Sequence, residues 1–149
     1  MTVRLLRPED GDAWIAMRSK LWPECPPERH AIEIGYYKEH RKTSAVFVAL
    51  LSTDSLVGFI ETSERQRVEG TRSDPVGYVE AWFVEDGYRR RGVGRALMNA
   101  AEEWALSRGL SELASDADID NPGSVRAHLA HGFRETFRIV QFVKELRSD

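Results

Sequence analysis

The stretch Val76-Gly-Tyr-Val-Glu-Ala-Trp-Phe-Val84, with Arg89-Arg-Arg-Gly-Val-Gly-Arg95 just after it, decides how the rest of this 149-residue chain is read. The first run is rich in β-branched and aromatic side chains and reads as the longest strand. Beyond the arginines, Val93, Leu97, Ala101 and Trp104 recur at helical spacing, and Arg108-Gly109 supplies a helix stop. A glycine-bearing, arginine-rich loop therefore joins a strand to a helix. Amides at such a helix start face outward at the positive end of its dipole. Gly92 and Gly94 let the chain bend until those amides converge, and the guanidinium groups add charge-assisted hydrogen bonds. The segment reads as a phosphate cradle, the plainer alternative being a solvated helix start. Its spacing is Arg-x-x-Gly-x-Gly, which matches neither the dinucleotide signature Gly-x-Gly-x-x-Gly nor the nucleoside-triphosphate loop Gly-x4-Gly-Lys-Ser/Thr.

Working outward, Val3–Arg7 reads as a short strand. Pro8-Glu-Asp opens a helix on which Trp14, Met17 and Leu21 share a stripe. Trp22-Pro-Glu-Cys-Pro-Pro27 breaks it, and a second helix runs to about His40. Ser44–Leu51 and Leu56–Thr62 are β-rich runs that should pair antiparallel about a hairpin turn at Ser52-Thr-Asp-Ser55. After the third helix come a strand at Leu110–Ser115, a helix start at Asn121-Pro-Gly-Ser124, a short helix over Val125–Ala130 and a closing strand at Phe137–Leu146. Early hairpins and later strand–helix alternation make the class α+β, or mixed α/β: a central, mostly antiparallel mixed sheet flanked by about four helices. Residues 1–149 are expected to form a single domain.

Net charge is −3, from 21 basic and 24 acidic residues, so no domain-wide positive field points to nucleic acid. Cys25 is the only cysteine, which rules out an intrachain disulfide and a multi-cysteine metal cage; no metal is expected. No run approaches the ~18 apolar residues of a membrane span, and the expected location is cytoplasmic. Basic residues crowd into the Arg89–Arg95 loop while acids recur in Ser115-Asp-Ala-Asp-Ile-Asp120, a split that implies one anionic and one cationic ligand, or else two solvated loops. Glu80 interrupts an otherwise apolar strand. Glu80 and Asp116 both fall near the C-terminal ends of strands, where ligands commonly enter such sheets. Asp118 and Asp120 read as solvated loop acids.

Arg-x-x-Gly-x-Gly after a strand ending Trp82-Phe-Val84, then Asn121 before a short helix and His131-Gly-Phe133, resembles the acetyl-CoA site of the GNAT acetyltransferase superfamily. Leu21-Trp-Pro23, Val79-Glu-Ala-Trp-Phe-Val84, Ala114-Ser-Asp116 and Gly132-Phe133 together resemble the aminoglycoside 6'-N-acetyltransferases of that superfamily. The resemblance implies the GNAT fold over nearly the whole chain, acetyl-CoA as co-substrate, and direct transfer in a ternary complex to the 6'-amine of an aminoglycoside, conferring resistance. It implies pantetheine contacts from the backbone of Trp82, Phe83 and Val84. Pyrophosphate contacts would come from Arg89, Arg90, Arg91, Gly92, Val93, Gly94 and Arg95, a further cofactor contact from Asn121, and substrate contacts from Trp22, Glu80 and Asp116. Two positions depart from the pattern: Arg67 stands where relatives carry an aromatic substrate contact, and Phe137 where they carry an acid, for which neighbouring Glu135 is the candidate replacement in binding substrate.

Acyl transfer requires a neutral amine, donors for the developing oxyanion and a proton source for the leaving thiolate. Glu80 is the candidate base, directly or through water. His128, four residues before Gly132 where many relatives carry a tyrosine, is the candidate acid, with a merely packed histidine as the alternative. Cys25 lacks a motif-placed histidine partner and is not expected to be a nucleophile. A polyamine, peptide or other metabolic amine as acceptor stays open, as does a non-catalytic acyl-CoA sensor. The resemblance implies a homodimer, for which the apolar Phe137–Val143 run offers an edge.

Overall fold

A computed structural model describes residues 1–52 and 55–147. Five strands, β1 (Thr2–Leu5), β2 (Ser44–Leu50), β3 (Leu56–Arg65), β4 (Val76–Val84) and β5 (Leu113–Ser115), lie side by side in chain order. All neighbours are antiparallel except β4 and β5. The helices are α1 (Gly11–Leu21), preceded by a 3-10 turn at Pro8–Asp10, α2 (Pro27–Glu39), α3 (Val93–Ser107) and α4 (Pro122–Ala130). The turn expected at residues 52–55 includes Thr53 and Asp54, which lie outside the described residues.

Alternation along β2 shows how the sheet acquires two apolar faces. Val46, Val48 and Leu50 pack with Trp14 and Met17 of α1 and Ile34 of α2, while Phe47 and Ala49 turn to the other face with Val93, Leu97, Met98 and Ala101 of α3. The α3 stripe continues through Ala105 rather than Trp104. Trp104 sits half-buried at the shoulder of the stripe with the Arg108 guanidinium 5.6 Å from its ring. Gly109, at φ +75°, ends the helix region as its sequence position predicts.

Two features of β4 carry the rest. Thr62 pairs with Val79 but Glu61 pairs with Ala81, so Glu80 is the extra residue of a β-bulge. The bulge reverses the alternation: Val79 faces α3, yet Ala81 and Phe83 face α1 and α2. Pairing with β5 also stops early, at Val79 with Ser115, so from Glu80 onward that flank of β4 is left without a strand partner.

The closing strand expected at Phe137–Leu146 does not form. Among the described residues the sheet ends at β5, and Phe142 and Val143 are 88% and 91% exposed. A β-prone, alternating segment becomes a strand only where a partner accepts its backbone hydrogen bonds, and among the described residues no strand pairs with it.

Candidate active site

The bulge gives Glu80 its surroundings. Its Oε2 accepts from the hydroxyl of Ser63 at 2.5 Å and from Arg65 Nε at 2.7 Å, and its Oε1 accepts from Arg65 Nη2 at 2.5 Å. Arg65 lies over the ring of Tyr78, 3.8 Å from its centroid, and the Tyr78 hydroxyl donates to Asp116 Oδ2 at 2.5 Å. Burial, and then the Asp116 carboxylate, push the Tyr78 hydroxyl above its ordinary pKa of 10.0, so it remains a donor. The two acids singled out in the sequence are thus linked through Arg65 and Tyr78.

Trp22 and Glu80 line one pocket of about 380 Å³, together with Arg18, Glu33, Tyr36, Tyr37, Glu61, Ser63, Glu64 and Arg65. Four acids against two arginines suit a polycation. The floor is built from buried polar groups. Arg18 and Glu61, each 1% exposed, form an ion pair, and the Trp14 indole donates to Glu61 Oε2 at 2.9 Å. Burial raises the Glu61 carboxyl above its ordinary range, against the pull of Arg18. Burial, then the Glu61 charge, raise the Tyr37 hydroxyl and keep it neutral. Arg18 reaches Glu33 with its other terminal nitrogen and stacks on Trp22, 4.8 Å from the ring centroid, which fixes that indole at the pocket wall.

Cys25, His30 and Glu33 bring possible ligand atoms within 4.8 Å of one another. Arg18 Nε donates to His30 Nδ1 at 3.2 Å and Arg18 also pairs with Glu33, so two of the three are partners of a guanidinium.

On the far side of β4 lies the arginine loop. Gly92 caps α3 at φ +82°, and a Cβ placed there would meet nothing within 4 Å. The first bond of the helix runs from Ala96 N to Gly92 O, leaving the amides before it for an external acceptor. Arg90 is left-handed at φ 62°. Arg89 is drawn back onto the Val84 carbonyl and Asp86, and Arg91 lies near the Tyr88 ring. The indole of Trp82 donates to Gly94 O at 3.0 Å, and its ring meets His128 edge-on at 5.2 Å. This open cradle, beside the unpaired flank of β4, fits a pyrophosphate at the helix start and an extended amide-bearing arm along the strand.

His128 Nδ1 lies 2.7 Å from the Ser124 carbonyl oxygen, which can only accept, so the proton of the neutral ring resides there. Nε2, 2.7 Å from Ser115 Oγ, accepts from that hydroxyl. Asn121 caps α4, its Oδ1 accepting from Ser124 N at 3.1 Å. Asp116 is reached through Tyr78 and is not on the pocket wall. Glu135 is ion-paired with Arg138 in the exposed segment after α4, apart from the pocket, and Phe137 is 48% exposed. Arg67, at φ 56°, is also exposed, in the loop before β4.

Sequence reasoning missed Arg65, Ser63 and Tyr78. Tyr78 had a signal, since it stands two residues before Glu80 on the same strand. Arg65 and Ser63 meet Glu80 through a register that the bulge sets, and nothing local in the sequence marks that bulge.

Comparison with known proteins agrees with this geometry. The model of the Acetyltransferase (GNAT) family matches residues 12–133. The chain belongs to the GNAT acetyltransferase family. It is 38% identical over 146 residues to an aminoglycoside N(6')-acetyltransferase type 1 of Klebsiella aerogenes, covering 97% of this chain and 96% of that one. The apo crystal structure of an aminoglycoside antibiotic 6'-N-acetyltransferase from Acinetobacter haemolyticus superposes with a TM-score of 0.89 at 31% identity, over 99% of this GNAT chain and 100% of the other. AAC(6')-Iy bound to the bisubstrate analogue CoA-S-monomethyl-acetylneamine gives the same TM-score and identity, with 97% of each chain covered.

Proposed function

We propose that this GNAT chain is an acetyl-CoA-dependent aminoglycoside N-acetyltransferase that modifies the 6'-amine by direct transfer in a ternary complex and thereby confers resistance. The observation that carries the reading is the acid-rich pocket holding Trp22 and Glu80, set on the strand whose opposite flank opens beside the Arg89–Arg95 cradle.

Acetyl-CoA supplies the activated acetyl group. The Arg89–Arg95 loop, through the amides of Gly92, Val93 and Gly94 and the guanidinium groups of Arg89, Arg90, Arg91 and Arg95, binds its phosphates. The backbone of Trp82, Phe83 and Val84 binds the arm, and Asn121 flanks it. Trp22 forms an apolar wall for a sugar ring. Glu80 attracts the acceptor ammonium and takes its proton, directly or through water. An acid that stabilises the ammonium also opposes its deprotonation, so positioning must supply much of the rate gain. His128, once protonated at Nε2, can pass a proton through the Ser115 hydroxyl toward the leaving thiolate. Asp116 and Glu135 serve outlying ammonium groups of the acceptor. Residues 1–149 act as one domain, in the cytoplasm, as a homodimer. None of the helices described is long and apolar enough to cross a membrane.

A thiol-release assay over kanamycin-class and gentamicin-class acceptors, with spermidine and peptides alongside, tests the reading. Turnover is expected on the aminoglycosides. Turnover confined to spermidine or peptides would leave an acetyltransferase with a different acceptor.

A further inference from the structure

The contact that most constrains the acceptor pocket comes from the protein itself. Arg65 grips both oxygens of Glu80, and its guanidinium stacks on Tyr78, whose hydroxyl is bonded to Asp116. A carboxylate, a hydroxyl-bearing neighbour and an aromatic face make a subsite for a cation, and the cation in it is a side chain. Arg65 is the last residue of β3 and its side chain is 46% exposed, against 21% for Glu80. The arginine is therefore the partner free to move. Ser63 keeps its bond to Glu80 and would hold the carboxylate in place after the arginine leaves. The preference of Glu80 for the charged guanidinium also raises the pKa of Arg65, so no ordinary pH releases it.

We propose that Arg65 is a displaceable internal surrogate for the acceptor ammonium, occupying the Glu80–Tyr78 subsite and setting the affinity and charge selectivity of acceptor binding. The inference rests on the acetyltransferase reading for the identity of the acceptor. An incoming ammonium exchanges one ion pair at Glu80 for another, so that contact adds little net affinity and little salt dependence. Acceptors with further ammonium groups compete better, because their other charges reach Glu33 and Glu64, part-exposed pocket acids that pair with Arg18 and Arg108 rather than with Arg65 and can share a second cation. Monoamines and neutral acceptors are held back.

The test is calorimetric binding of kanamycin to the CoA-loaded protein at several salt concentrations, for wild type, Arg65→Met, Arg65→Lys and Arg65→Met in a Glu80→Gln background, each checked by thermal melting. Arg65→Met is expected to bind about threefold to tenfold tighter, with a steeper loss of affinity as salt rises. Arg65→Lys, which restores a displaceable cation, should stay within about twofold of wild type. With Glu80→Gln present the gain should vanish. Weaker or unchanged binding by a folded Arg65→Met protein, or equal salt slopes, overturns the proposal in favour of a fixed brace for Glu80. Absence of binding by every variant overturns it as well. Tighter binding by Arg65→Met without acetylation of kanamycin by wild type would sustain Arg65 as surrogate while removing the aminoglycoside acetyltransferase reading.

Discussion

The indole N–H of Trp82 donates to the carbonyl oxygen of Gly94 across 3.0 Å, tying the strand that carries Glu80 to the helix whose first turn carries the proposed phosphate cradle. That bond joins the two halves of the site directly, in addition to the packing of Val93 and Leu97 against the sheet. Trp82→Phe keeps an aromatic ring and deletes the bond. The expected result is a rise in KM for acetyl-CoA of about fivefold, the equivalent of ~1 kcal/mol, with KM for the acceptor little changed. Initial-rate kinetics with each substrate varied in turn check it.

Gly92 separates a backbone cost from a steric one. A Cβ there meets open space, but φ is +82°. Gly92→Ala is therefore expected to weaken CoA binding by straining the first turn of α3, at about 1–2 kcal/mol. Gly92→Asn should lose less, because asparagine visits the left-handed region more readily. Calorimetric CoA titration of both variants reads the difference.

The Arg18–Glu61 pair is a stability element as well as the pocket floor. Replacing Glu61 with Ala leaves the buried Arg18 guanidinium without one of its two carboxylate partners, and is expected to cost about 3–5 kcal/mol in urea unfolding. Replacing both partners together with apolar residues should cost less than that single change. The Trp22 indole loses its stacking partner in the double variant, so acceptor KM should rise even where stability is kept.

Asp10 gives the fold a pH signature. Hydrogen bonds from Arg4, and then one from the Arg7 backbone, outweigh burial and hold its carboxyl below the ordinary 3.8. A depressed folded pKa contributes stability above the unfolded value, and that contribution is lost as pH falls through the folded one. Asp10→Asn should be about 1 kcal/mol less stable than wild type at pH 7. The gap should close below pH 3.8, as urea midpoints measured across that range would show.

If the proposed homodimer forms, its contact is expected on the apolar segment from Phe137 to Leu146, where Ile139 and Val140 are 74% and 77% exposed. Phe142→Glu and Val143→Glu together are expected to shift a dimer to monomer in light scattering, with the melting temperature of the monomer little changed. A dimer that survives both changes would place the interface elsewhere.

Much of the fold was legible because it depends on local regularities. The helical stripe from Val93 to Ala101, the glycine stop at Gly109, the proline break after Trp22 and the β-rich runs each recur where the structure has the corresponding element. The arginine loop was legible for the same reason, since its chemistry follows from a helix start and the residues within it. The closing strand was misread because β propensity describes a side chain's fitness for a sheet, not the presence of a partner.

The sequence by itself determined the element order as far as the last helix, the arginine-rich helix start at Arg89–Arg95 and the identity of Glu80 as a lone acid in an apolar strand. Periodicity and helix-end chemistry act over a few residues, so these features can be read from neighbours in the chain. Tertiary structure alone decided that Glu80 sits on a bulge, that β4 parts from β5 beyond Val79, and that Arg65 reaches Glu80 first. Each of these depends on register between strands, and register is fixed by which side chains the two apolar faces bury together across the whole sheet.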